Sequence, residues 1–289
     1  MRVLVTGAGG QLGADLVRAW ADADVTGLTH EELDIADEAA VAAAIAGVRP
    51  DLVVNAAAMT DVDGCESDPA AAHRANALGP WWLARACDRQ GATLLHLSTD
   101  YVFSGGPPQR ADGSPRGWSE FDQVAPANAY GHSKHAGEQL VRQTLTRHHI
   151  VRTSWLAGAG GGNFVRTMLQ IGSTGSVRVV DDQVGSWTST VDLAAALREV
   201  ASSGRFGTVH RANTGHASWA DVAEAAFEAA GMDVDVVRIP SSEMPRPAPR
   251  PAWSVLDQGH AGAMGLTPLP EWRTSLERLV QQLLDRGMP

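Results

Sequence analysis

The strongest constraint on this chain lies at its start, where a five-residue β-rich run, Arg-Val-Leu-Val-Thr at 2–6, leads straight into Gly7, with further glycines at Gly10 and Gly13. Leu12, Leu16, Ala19 and Trp20 then follow at helical spacing through residues 11–23. Strand, turn and helix succeed one another directly. In such a unit the backbone N–H groups and the helix dipole can face a pyrophosphate. The same glycines could serve only close helix–sheet packing, but their place in the first βα unit of the chain favours a nucleotide.

The alternation continues. Residues 25–29 and 52–55 read as strands and 37–46 as a helix with Asp37 as its N-cap. Residues 70–89 read as a long alanine-rich helix, and 93–97 as a strand that ends in Ser98-Thr99-Asp100. This order predicts an α/β chain with a doubly wound parallel sheet, whose ligands lie beyond the carboxyl ends of the strands. Residues 105–126 lack periodicity and exceed the usual connection of about 4–6 residues, as a functional loop or an insertion would. A helix at 129–147 and a strand at 150–155 follow. Beyond them come helices at 163–171, 192–201 and 218–230, strands at 177–180, 208–211 and 234–239, a proline-rich stretch from Pro240 to Pro251, and a helix at 272–285.

With 44% hydrophobic residues the chain can build a core without metal or disulfide staples. Its net charge of −10 argues against nucleic acid or an anionic membrane as partner. No export signal is evident, and no apolar stretch approaches the roughly 20 residues of a membrane span. Two cysteines, Cys65 and Cys87, fit a reducing, cytoplasmic setting. A small-molecule partner is expected.

Tyr130 and Lys134 lie four apart on a predicted helix, hence on one face. The chain has two tyrosines and one lysine among its cationic residues, and chance would give this spacing in roughly one case in 150. A compact ammonium can reach ribose hydroxyls and is expected to make a nearby phenol more acidic. Such a phenol can protonate a carbonyl oxygen while hydride arrives from a nicotinamide. Thr99, at a strand end, offers a hydroxyl to the same oxygen. The ten histidines show no metal-ligand spacing and no GxSxG occurs, which disfavours metal and hydrolase readings. After the second strand Glu31, Glu32 and Asp34 suit NAD, yet the strand itself ends at Thr29-His30 without an acid, so NADPH and NADH both remain open.

TGAGGQLG at 6–13, STDYVF at 98–103 and YGHSK at 130–134 resemble the extended short-chain dehydrogenase/reductases. NAAAMTDVDGCE at 55–66, RTSWL at 152–156, Asn163-Phe164, DDQVG at 181–185 and RPAWSVLD at 250–257 resemble, in order, the dTDP-4-dehydrorhamnose reductase family. The resemblance covers essentially the whole chain. It implies a Rossmann-type sheet with a smaller C-terminal substrate domain, residues 1–155 and 190–215 forming the first and 156–189 and 216–289 the second. It implies that Gly7, Gly10, Gln11, Leu12, Gly13, Asp34, Ile35, Ala56, Ala57, Tyr130 and Lys134 meet the cofactor. It further implies that Thr60, Thr99, Asp100, Tyr101, Trp155 and Arg250 meet a dTDP-linked keto-deoxysugar, with Thr99, Tyr130 and Lys134 as the catalytic set. The reaction implied is reduction of a C4 ketone, dTDP-4-dehydro-L-rhamnose to dTDP-L-rhamnose. Some members form magnesium-bridged dimers, so a homodimer is implied, but no metal ligands can be assigned. After DDQVG the family usually has proline-threonine, where this chain has Ser186-Trp187-Thr188. The alternatives are a reductase of another dTDP-keto sugar from antibiotic deoxysugar or dihydrostreptose assembly, a non-catalytic NADP-binding regulatory subunit, and a dehydratase or epimerase.

Overall fold

The computed structural model describes residues 1–287. Strands β1 (Arg2–Thr6), β2 (Asp24–Leu28), β3 (Leu52–Asn55), β4 (Thr93–Thr99) and β5 (His148–Thr153) join Gly207–His210 in a six-stranded sheet. Its order is 207–210, β5, β4, β3, β1, β2, and every pairing is parallel. Successive side chains of a strand point to opposite faces, and here both faces are apolar. Val3, Val5, Val54, Leu95 and Val151 pack on one side, beneath helix α1 (Gln11–Ala19) and the helix Thr190–Ser202. Leu4, Val53, Leu94 and Ile150 pack on the other, beneath α2 (Glu38–Val48) and neighbouring helices. Burial on both faces explains why the strands read as unbroken apolar runs.

Several elements differ from expectation, each for a local reason. The first helix stops at Ala19, because the buried Trp20 and the turn after it redirect the chain into β2. The long helix expected over 70–89 follows a short α3 (Val62–Ser67) and is interrupted: α4 (Pro69–His73) passes through a π-turn at Arg74–Leu78 into α5 (Gly79–Gln90). Insertions of this kind are frequent at functional sites, and this one turns the Asn76 side chain inward. Asn76 accepts from the Met59 N–H at 2.8 Å and donates to the Met59 carbonyl at 2.9 Å and to Ser133 Oγ at 3.0 Å. It thereby joins the segment after β3 to helix α6 (Ala129–Thr144).

Helix α6 is tied to β5 by charge. Arg152 grips the fully buried Glu138 with two hydrogen bonds of 2.8 and 2.7 Å, and Arg142 adds a third at 2.8 Å. Burial alone would raise the Glu138 carboxyl, but Arg152, His135 and Arg142 outweigh it and hold the group well below the usual carboxylate range. A separate apolar cluster gathers Val165, Leu169, Trp187, Phe227, Leu276 and Leu283 around the helices Phe164–Ile171, Trp219–Ala230 and Trp272–Asp285. Ser218 caps the second of these with a capping box.

Candidate active site

The carboxyl ends of β1, β3 and β4 open on a cavity of about 470 Å³, at the point where strand order reverses about β1. Gly7, Gly10, Gln11, Leu12 and Gly13 form one wall. Gly7 has φ +72°, and a Cβ there would lie 2.7 Å from the Ala57 nitrogen; at Gly13 it would lie 2.0 Å from the Gly7 carbonyl oxygen. No side chain fits either place. Helix α1 starts at Gly10 without a side-chain cap, so its first N–H groups are free to meet a phosphate. The turn therefore fits a dinucleotide. Gln11 crosses the cavity mouth: its Oε1 accepts from Gly158 N at 2.9 Å and Asn163 Nδ2 at 3.1 Å, and its Nε2 donates to the Gly162 carbonyl at 2.9 Å.

Ala56 and Thr60 also line the cavity, whereas Ala57, Asp34 and Ile35 do not. Ala57 packs with the apolar cluster beneath β1, its N–H donating to Asn55 Oδ1 at 3.1 Å. Ile35 is buried in that same cluster, and Asp34 is exposed with its carboxylate on the Ala36 N–H at 2.9 Å.

The three expected catalytic residues meet. Thr99 ends β4, and Tyr130 and Lys134 stand one turn apart on α6, whose cap Asn128 accepts from Gly131 N at 2.8 Å. All three are buried and face the cavity. The Thr99 hydroxyl accepts from Tyr101 N at 3.2 Å, lies 3.1 Å from Asp100 Oδ1, and faces the Tyr130 phenol. Lys134 Nζ donates to the Leu97 carbonyl at 2.6 Å.

The expected acidification of the phenol needs correction. Burial pushes Tyr130 above its ordinary range; the Thr99 hydroxyl opposes this, while Asp100, Tyr101 and Cys65 add to it. Burial likewise pulls Lys134 down to about 8, against the pull of Glu138. Desolvation penalises both charged forms, and the ammonium is directed at a backbone carbonyl.

Aromatic rings build the far wall. Trp155 lies just past β5 rather than within it, at φ +46°, a conformation rare for a bulky residue. Its indole stacks on Trp219 at 3.7 Å with an 8° tilt, and Phe164 leans on Trp219 at 4.6 Å. Tyr101 meets Tyr130 edge-on at 5.4 Å. Trp187 also lines the cavity, its buried N–H without a partner among the described residues. Arg250 stands behind Tyr101 instead of in the wall, paired with Asp63 at 3.0 Å. Trp219 and Ser154 were not expected here. Ser154 lies beside Trp155 in the 152–156 motif, whereas Trp219 is brought in from a distant segment that no local spacing marks.

Among the described residues, no three His, Cys, Asp or Glu side chains of the one chain come together. Among the same residues, no helix is long and apolar enough to cross a membrane.

A family profile described as the RmlD substrate binding domain matches residues 1–285. The dTDP-4-dehydrorhamnose reductase of Mycobacterium tuberculosis is 45% identical over 299 residues, covering 100% of this chain and 97% of that protein. The crystal structure of a dTDP-4-dehydrorhamnose reductase from Clostridium acetobutylicum superposes with a TM-score of 0.93 at 39% identity, covering 98% of this chain and 100% of that one. That of a Bacillus anthracis dTDP-4-dehydrorhamnose reductase in complex with NADP gives 0.92 at 37% identity, covering 97% and 99%. With the glycine turn and the Thr99, Tyr130 and Lys134 set on one cavity, the chain belongs to the dTDP-4-dehydrorhamnose reductase family.

Proposed function

We propose that the chain reduces the C4 ketone of a dTDP-4-dehydro-6-deoxysugar with NADPH, converting dTDP-4-dehydro-L-rhamnose to dTDP-L-rhamnose. The observation that carries this reading is the convergence of Thr99, Tyr130 and Lys134 with an uncapped glycine turn on one cavity. The Bacillus anthracis relative was solved with NADP. Glu32 accepts from the Thr29 N–H at 2.8 Å, and with Glu31 and Asp34 it keeps negative charge at the end of β2, so the choice between NADPH and NADH is left to an assay of both. NADH is the second donor to test. Residues 156–189 and 216–289 supply the sugar side in this reading.

NADPH, when bound, supplies the hydride. Tyr130 then donates its phenolic proton to the ketone oxygen, which becomes a far stronger base than phenolate as the alkoxide develops. Burial that holds the phenol protonated thus keeps the donor loaded at neutral pH. The Thr99 hydroxyl binds the same oxygen, and Lys134 places a cation near the phenolate and within reach of ribose hydroxyls. Trp155, Trp219 and Phe164 exclude water and offer flat faces to the nucleotide sugar.

The test is oxidation of NADPH and of NADH by purified protein across a panel of dTDP-4-keto sugars, with each product identified. Preference for a sugar other than the rhamnose precursor would support the rival reading, which Trp187 in place of the usual proline favours. Tight NADPH binding without turnover on any sugar would mark a regulatory subunit. Lys134→Arg is expected to lower kcat about 100-fold or more, because a planar fork cannot replace the compact ammonium in a site 3% exposed. Wild-type kcat in that variant would remove lysine from the mechanism.

A further inference from the structure

Asp100 occupies the cavity wall with no part in the steps above. It is 3% exposed; its Oδ1 lies 3.1 Å from Thr99 Oγ1, and its Oδ2 is buried with no hydrogen bond of ordinary geometry among the described residues. The Thr99 hydroxyl in turn faces the Tyr130 phenol. A carboxyl, a hydroxyl and the proton donor therefore stand in series.

Resting on the assignment of Tyr130 as proton donor, we propose that Asp100 is a positioning residue that stores a proton and returns it, through Thr99, to the phenolate left on Tyr130 after each reduction. In the reduction the C4–O π bond breaks, hydride forms the C4–H bond, and the Tyr130 proton forms the new O–H bond. The Asp100 O–H bond then breaks as its proton goes to Thr99 Oγ1, and the Thr99 O–H bond breaks as its own proton goes to Tyr130 Oη. Phenol and carboxylate remain, and the carboxylate regains a proton from water on product exchange. When Asp100 is ionised Thr99 donates to it; when Asp100 is protonated that hydrogen bond reverses, freeing the Thr99 hydroxyl to donate toward the phenol.

Burial pushes the Asp100 carboxyl up to about 7, against the opposing pull of the Thr99 hydrogen bond and of the nearby Ser254 and Ser154 hydroxyls. It can therefore hold a proton near neutral pH, where an ordinary aspartate near 3.9 would not. Against even an unperturbed phenol near 10, the transfer is favoured about a thousandfold. The titratable and charged groups around Asp100 are Tyr101 from the turn that follows it, Tyr130 from α6, and the Arg250–Asp63 pair beyond Tyr101. Ser154 and Ser254 are neutral, and the Lys134 ammonium is turned to the Leu97 carbonyl.

The experiment compares kcat against pH for wild type, Asp100→Asn, Thr99→Val and Thr99→Ser. Wild-type kcat is expected to fall about tenfold from pH 6 to pH 8 as the store empties. Asp100→Asn is expected to be about tenfold slower at pH 6 and to lose no more than about twofold between pH 6 and pH 8, the share left to Lys134 near 8. Thr99→Val should lose the same limb with Asp100 in place, and Thr99→Ser should keep it. An infrared titration without substrate reads the store directly: a protonated-carboxyl band that vanishes as pH rises through about 7 in wild type and is missing from Asp100→Asn. Persistence of the limb in Asp100→Asn or Thr99→Val, or no such band in wild type, overturns the relay. If Asp100→Asn fails to fold, the Thr99 pair and the wild-type band decide. Continued turnover by Tyr130→Phe would instead overturn the assignment on which the relay rests.

Discussion

Tyr130→Phe is expected to lower kcat about 10³-fold while changing NADPH affinity no more than about twofold, since a positioned general acid contributes about 10² to 10⁴. The phenol faces both Thr99 and the cavity at the foot of α6. Phenylalanine keeps the ring, its edge-on packing with Tyr101 and the start of the helix, so fold and dinucleotide turn should be untouched. Single-turnover hydride transfer and NADPH titration separate the two effects. Turnover near that of wild type would mean that another group protonates the ketone oxygen.

Glu138→Ala is expected to produce the largest loss of stability, about 3–5 kcal/mol, or a Tm lower by on the order of 10 °C. Removal of the carboxylate leaves Arg152, 1% exposed, as a buried charge without its two hydrogen bonds. The double variant Glu138→Leu with Arg152→Met is expected to recover most of the loss, because it removes both charges together. Thermal unfolding of wild type and the two variants tests this; equal Tm values for Glu138→Ala and wild type would refute it. Because the carboxyl is held below its usual range in the fold, its contribution is present at neutral pH and fades as pH falls through the folded value.

The glycine turn, β1 and β3 were legible because each depends on neighbours in sequence: apolar runs, turn glycines and a helix start. Tyr130 and Lys134 were legible for the same reason, being one helical turn apart. The π-turn at Arg74–Leu78 was not, since Asn76 owes its place to Met59 and Ser133 in other segments. Trp219 joins the site only by stacking on Trp155, 64 positions earlier in the chain. The behaviour of the phenol was misjudged on the same ground. Proximity to a cation can be read from spacing, but the depth of burial that opposes it follows from packing between distant elements.

The burial of Lys134 has a practical consequence. It is the one lysine in 289 residues and lies inside the cavity, pulled down to about 8, so near pH 8 about half of it is a nucleophilic free amine. Acylating or aldehyde reagents small enough to enter should therefore tag a single internal nitrogen besides the α-amino group. Bulky amine-directed crosslinkers should find no lysine on the exterior, and bound dinucleotide should shield the tagged position.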